Sequence, residues 1–280
     1  MTKHTIWITG AEGRLGAELL KRLRANEEYK VIDTDMDVDI TDMHAVDHAI
    51  DVYRPTVVIN CASISDVDYC EKNMVEAYRV NALGARNLAI ATRRINAKII
   101  QLSTDDIFDG KTGGRMTEFD TPDPQNVYGK SKLAGENFVR ELNPKHVIIR
   151  SSWVYGAAKG DYFTYVVEQA KAGKNFGAAT DKFSTPTSAQ ELAKFVECLI
   201  DKNEYGLFHA SCEGECTRYE FAKMILELMD YDSNLVQGIS SENGINSSTV
   251  LENLMMKMTG IYEMPDWVDA IKAYAARIKM

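Results

Sequence analysis

In Tyr128-Gly129-Lys130-Ser131-Lys132 a phenol and an ammonium stand four residues apart, which on a helix is one turn along the same face. An ammonium at that distance favours phenolate over phenol, so the spacing predicts a tyrosine that exchanges protons near neutral pH. On its own the pair is common and usually marks a solvated helix face. Its weight comes from what precedes it: a glycine turn, Gly10-Ala11-Glu12-Gly13-Arg14-Leu15-Gly16, and the hydroxyl pair Ser103-Thr104. A dinucleotide on the turn, a hydroxyl to hold a carbonyl oxygen and a tyrosine to protonate it are the equipment for hydride transfer to or from a carbonyl carbon. In that arrangement a hydroxyl of the Ser103-Thr104 pair holds the carbonyl oxygen and Tyr128 gives the proton. Lys132 lowers the tyrosine pKa and bonds the nicotinamide ribose.

Such residues meet only if strands and helices alternate. The apolar run over 5–9 predicts a first strand, with Leu15, Leu19, Leu20 and Leu23 at helical spacing after it. Val31-Ile32-Asp33 reads as the second strand, and Met43, Val46, Ile50 and Tyr53 as one helix face stopped by Pro55. A third strand over 57–60, a long helix over 75–94, a strand over 99–103, a helix over 127–142 and a strand over 147–150 follow. This alternation predicts an α/β fold, a doubly wound parallel sheet of the Rossmann type with right-handed crossovers. Residues 1–152 are expected to form the dinucleotide-binding domain, with a helix over 188–201 returning to it. Residues 153–187 and 202–280 are expected to form a smaller C-terminal α/β lobe that binds substrate. In that lobe 161–172 reads as a helix, and Thr217-Arg218-Tyr219-Glu220 as a capping box opening a helix through Met229. The stretch 234–248 is polar and turn-rich and reads as a loop, and a terminal helix follows Pro265-Asp266-Trp267.

Gly10, Gly13 and Gly16 lie between a strand and a helix, the context in which this spacing cradles a pyrophosphate. Arg14 and Leu15 ride on the same turn, whose helix amides supply an anion site. Asp33 ends the second strand, where a carboxylate bonds the adenosine ribose hydroxyls. No Arg or Lys directly follows it to neutralise a 2′-phosphate, which favours NAD(H); Arg14, able to swing over such a phosphate, keeps NADP(H) open. Asp39 and Ile40 are placed against the adenine, and Cys61-Ala62-Ser63 along the cofactor cleft.

A chain of 280 residues, 45% apolar and 26% charged, suffices for one large domain or two unequal lobes with a substantial core. Its net charge of −9 argues against a nucleic-acid partner, which needs a basic face. No apolar run approaches the roughly 18 residues that span a bilayer, and Met1-Thr2-Lys3-His4 runs into a strand without a secretory pattern. The five cysteines are scattered, and Cys212 and Cys216 lack a second Cys or His pair. Reduced thiols in the cytoplasm, with no metal site, are the expectation.

On these motifs the chain resembles the extended short-chain dehydrogenase/reductase superfamily and, within it, the dTDP-4-dehydrorhamnose reductases. The matching stretches are 10–16, Val67-Asp68, Ser103-Thr104-Asp105 with Phe108-Asp109-Gly110, 126–136, 150–155, Thr185-Pro186-Thr187 and Met264-Pro265-Asp266-Trp267. The resemblance implies a triad of Thr104, Tyr128 and Lys132 and a sugar-nucleotide site between the lobes, with Val67, Thr104, Asp105 and Trp153 at the substrate. It also implies a homodimer. Two departures stand out. Asp106 occupies a position where these reductases usually have Tyr, and Asn243-Gly244 stand where they carry Arg-Pro, an arginine expected to help with nucleotide phosphates. Thr104-Asp105-Asp106 is also similar to the Thr-Asp-Glu of sugar-nucleotide 4,6-dehydratases, in which carboxylates act as acid and base, so a dehydratase or epimerase is a second reading. A third is a non-catalytic cofactor-binding regulatory subunit, as in the β subunit of methionine adenosyltransferase.

Overall fold

The computed structural model describes residues 3–111, 113–156, 160–240 and 247–279. Strands and helices alternate through the first half: β1 (His4–Thr9), α1 (Arg14–Leu23), β2 (Tyr29–Thr34), α2 (Met43–Tyr53) and β3 (Val57–Asn60). Short helices α3 (Val67–Lys72) and α4 (Met74–Tyr78) lead to α5 (Ala85–Arg94), then β4 (Lys98–Thr104), α6 (Val127–Leu142) and β5 (His146–Ser151). The second half holds β6 (Val154–Tyr155), α7 (Tyr162–Lys171), β7 (Phe176–Ala179), β8 (Lys182–Ser184), β9 (Thr187–Ser188), α8 (Ala189–Ile200) and β10 (Gly206–His209). It closes with β11 (Cys216–Thr217), α9 (Arg218–Leu228), β12 (Val236–Ile239), β13 (Ser247–Ser248), α10 (Leu254–Thr259) and α11 (Trp267–Lys279).

The main sheet has the order β10-β5-β4-β3-β1-β2 and is parallel throughout. Its central strands are buried at every successive residue, as at Ile6-Trp7-Ile8 and Val57-Val58-Ile59, because helices cover both faces. One face packs Trp7, Val46, Ile50, Leu88 and Ile148 together. The other packs Ile8, Leu19, Ile149 and Phe195, and the same apolar cluster continues through Tyr155, Phe221 and Tyr274 into the second lobe. The strand order reverses between β1 and β3, and an open α/β sheet leaves a crevice beyond the strand ends at such a reversal.

The fold departs from expectation at three places. Residues Gly206–His209, read with the second lobe, pair with β5 as the outermost strand of the main sheet. The helix expected over 75–94 contains a π-helical turn, Arg79–Gly84, between α4 and α5. The polar stretch read as a loop contains a 3-10 turn, Ser233–Leu235, and then β12, which pairs with β7. Only Val236 of β12 is buried, so an edge strand there needs no alternating apolar pattern. Asn243 and Gly244 fall outside the described residues. The capping box of α9 forms as read: Glu220 donates its amide to Thr217 Oγ1 (3.1 Å) and accepts the Thr217 amide (2.8 Å).

Candidate active site

The cofactor side of the crevice starts at Gly10, whose φ of +63° and close approach to Ala62 leave no room for a side chain; a Cβ there would lie 2.5 Å from the Ala62 nitrogen. Gly13 caps α1 without a side-chain hydrogen bond, which leaves the first-turn amides open to an anion. Beyond the ends of β1, β2 and β3 lies a hollow of about 500 Å³. Gly10, Gly13, Asp39, Ile40, Cys61, Ala62 and Ser63 all line it.

Asp33, Arg14, Leu15, Gly16, Tyr128 and Lys132 do not. Asp33 is exposed, ion-paired with Arg24, and stands apart from the hollow. Asp35, just past the strand end, lines it together with Glu12, Asp39 and Glu76, and accepts a hydrogen bond from the Glu12 amide (3.0 Å). Arg14 lines a second hollow instead, where it donates to Ser65 Oγ (3.1 Å) and to the Val154 carbonyl (3.4 Å). Arg79, the cation lining the first hollow among the described residues, is paired with Asp39 (3.8 Å) and Glu76 (3.9 Å).

A second hollow of about 340 Å³ shares Gly13, Cys61 and Ser63 with the first, so the two form one groove. Arg14, Leu15, Gly16, Val67, Thr104, Asp105, Tyr128 and Trp153 line it. Local structure fixes Tyr128 beside Thr104. Thr104 ends β4 and caps the 3-10 turn Asp105–Ile107, accepting the Asp106 amide (3.2 Å). Asn126 caps α6 by accepting the Gly129 amide (2.7 Å) and donates to Asp106 (3.0 Å). Gly129 lets the helix press on that turn: a Cβ there would come within 2.1 Å of the Asp106 carbonyl oxygen.

Along α6, Tyr128, Lys132 and Glu136 share one face. Lys132 is buried and donates to the Leu102 carbonyl (2.6 Å). Glu136 is fully buried and holds Arg150 through two hydrogen bonds (3.0 and 2.8 Å), while Ser103 donates to it as well.

The charges act differently from the sequence expectation. Burial, reinforced by the negative charge of Asp106, pushes the Tyr128 phenol well above its ordinary pKa; a hydrogen bond with Thr104 and the charge of Arg14 oppose this. Lys132, turned to the Leu102 carbonyl, is not the cation that counters it. Tyr128 is thus held as neutral phenol, the form that can donate a proton. Burial lowers the Lys132 pKa to about 8, against the raising effect of Glu136.

Asp105 is buried and accepts from Ser184 (2.9 Å) and Thr249 (2.5 Å). Burial and the neighbouring Asp106 push its carboxyl from 3.8 up to about 7. Between those values the folded state keeps a proton that the unfolded chain releases, so this group makes stability fall as pH rises through the window. Asp105→Asn is expected to flatten that slope, read from urea midpoints at about pH 5 and about pH 8. An unchanged slope would show that Asp105 does not titrate there.

Three site residues lie outside the sequence reading. Asp35 lines the first hollow, which Asp33 does not. Asn81, in the π-helical turn, exchanges hydrogen bonds with Ile64 in the loop after β3 (2.9 Å each) and donates to Ser131 on α6 (3.0 Å), clipping the cofactor side to the Tyr128 helix; π-helical turns recur at functional sites. Arg218, first residue of α9, lines the second hollow with its guanidinium 3.7 Å from the Trp153 ring centre.

Residues 4–280 match the RmlD substrate binding domain family. The chain belongs to this family. Among the proteins it is similar to, the spore coat polysaccharide biosynthesis protein SpsK of Bacillus subtilis is 33% identical over 279 residues, 98% of this chain and 97% of its own. The solved dTDP-4-dehydrorhamnose reductase of Clostridium acetobutylicum is 39% identical with a TM-score of 0.94, covering 99% of this chain and all of that one. The reductase of the same name from Bacillus anthracis, solved in complex with NADP, is 34% identical with a TM-score of 0.94 over 98% of this chain and 99% of its own. The family match and these likenesses run over nearly the whole chain, the Rossmann-like sheet included.

Proposed function

We propose that this protein is an NAD(P)H-dependent oxidoreductase that reduces a keto group on a sugar nucleotide, with dTDP-4-dehydrorhamnose to dTDP-rhamnose as the leading reaction. The observation that carries the reading is that Thr104 and Tyr128 line a hollow continuous with the dinucleotide hollow. The nicotinamide cofactor supplies the hydride when bound. Tyr128 passes its O–H proton to the keto oxygen as that oxygen gains charge, and the Thr104 hydroxyl donates a hydrogen bond to the same oxygen. Lys132 holds the nicotinamide ribose. Val67, Asp105 and Trp153 face the sugar, and the lobe after β5, apart from α8 and β10, holds the nucleotide. A cytoplasmic homodimer belongs to the same reading.

NADH is the preferred cofactor. Glu12, Asp35, Asp39 and Glu76 line the adenosine hollow against Arg79, so a 2′-phosphate would enter a field of like charge. We expect kcat/KM for NADH to exceed that for NADPH by about 10-fold or more, and Asp35→Ala to shrink the ratio. A wild-type preference for NADPH would refute this assignment.

The deciding assay is NADH oxidation with dTDP-4-dehydrorhamnose. One NADH consumed per keto group supports the reductase. The buried, proton-retaining Asp105 beside Asp106 is the observation that favours an acid–base dehydratase instead, and such an enzyme recycles its cofactor and consumes none.

A further inference from the structure

Arg218 is a cation in an unfavourable place. It opens α9, at the helix end whose dipole repels positive charge. Its guanidinium carbon lies over the rings of both Trp153 (3.7 Å) and Tyr162 (4.6 Å), and burial lowers its pKa to about 10. Among the described residues it forms no ion pair; its backbone carbonyl, not its side chain, accepts the Tyr162 hydroxyl (3.2 Å). Trp153 adopts φ +41°, a conformation a bulky side chain holds only when its surroundings enforce it, and from there its ring meets Arg218. Stacking occupies the faces of a guanidinium and leaves its N–H edge free for a bidentate anion.

The hollow itself demands such a group. Asp106 lines it beside the proton-retaining Asp105, so an anionic ligand entering meets the charge of Asp106. Arg14 is engaged with Ser65 and Val154, and Lys132 with Leu102. Among the described residues, Arg218 is left as the cation lining this hollow whose N–H groups hold no partner. We infer that Arg218 binds the diphosphate of the substrate and is the residue that makes this site select nucleoside-diphosphate sugars over uncharged ones. The inference rests on the sugar-nucleotide reading above and names the group that recognises its anionic part.

The test is equilibrium binding of dTDP, thymidine and NADH to wild type, Arg218→Met and Arg218→Lys. Loss of charge-assisted hydrogen bonds is expected to weaken dTDP binding about 10- to 100-fold in Arg218→Met, with thymidine and NADH changed by no more than about 2-fold. Arg218→Lys keeps the charge without the fork and falls between the two. It decides the question by the same dTDP-to-thymidine ratio if Arg218→Met fails to fold. An unchanged ratio in a variant that still binds NADH overturns the inference, and leaves the reductase reading standing if that variant still reduces the keto sugar. Wild type that binds dTDP through Arg218 yet reduces no keto sugar sinks the reductase reading and leaves this one standing.

Discussion

Replacing Tyr128 with Phe is expected to lower kcat for keto-sugar reduction by about 10²- to 10⁴-fold while NADH still binds. The substitution removes one oxygen and keeps the ring, so the start of α6, capped by Asn126 and pressed onto the Asp105–Ile107 turn through Gly129, stays in place. The proton donor is lost; the Thr104 hydroxyl still holds the carbonyl, which limits the loss. Because burial and Asp106 keep Tyr128 neutral, the wild-type rate should not fall with tyrosine ionisation near neutrality. It should fall as pH rises through about 8, where Lys132 gives up its proton. Single-turnover rates with bound NADH measure the effect on chemistry directly. A Tyr128→Phe enzyme within about 3-fold of wild type would remove Tyr128 from the proton transfer.

Glu136→Ala is expected to destabilise the fold by about 3–5 kcal/mol. Glu136 and Arg150 are both buried and hold each other by two hydrogen bonds. Removing the carboxylate leaves a guanidinium in the interior without its counter-charge, and among the described residues its Nη1 has no hydrogen-bond partner even with Glu136 in place. Ser103 loses its acceptor in the same step. Urea denaturation gives the magnitude, and a loss below about 1 kcal/mol would mean that water or a shifted side chain satisfies Arg150. Glu136 also raises the Lys132 pKa, so the alkaline fall in rate should move to lower pH in the variant. The two readouts separate support of the core from support of the lysine.

The sheet was legible because its strands are short apolar runs set between helical periods, and α6 spans the predicted 127–142. The site was legible where a motif fixes position in the chain, as with Gly10, Thr104 and Tyr128. It was not legible where position depends on a residue or two of strand end. Asp33 and Asp35 differ only in lying before and after the end of β2, and that step decides which one meets Glu12 and which meets Arg24. Nothing in the pattern over 75–94 marks a π-helical turn except Gly84 at its end, so Asn81 reads as an ordinary helix residue. Arg218 did carry a signal: a cation in the first turn contradicts the helix dipole. The direction of the Tyr128 shift could not be read from spacing, since it depends on where the Lys132 ammonium points and on how far the phenol is buried.

The apolar cluster that begins under β1 does not stop at the boundary between the lobes; Ile8, Leu19, Tyr155, Phe221 and Tyr274 belong to one packed body. A continuous oily seam of that kind opposes hinge opening. The two parts joined by this seam are therefore expected not to swing apart like a clam to admit a ligand, leaving passage into the groove to side chains and short backbone segments at its rim. The same seam couples the two parts thermally: either one unfolding alone would bare the other's share of the seam to water, so a bound dinucleotide is expected to protect both from heat.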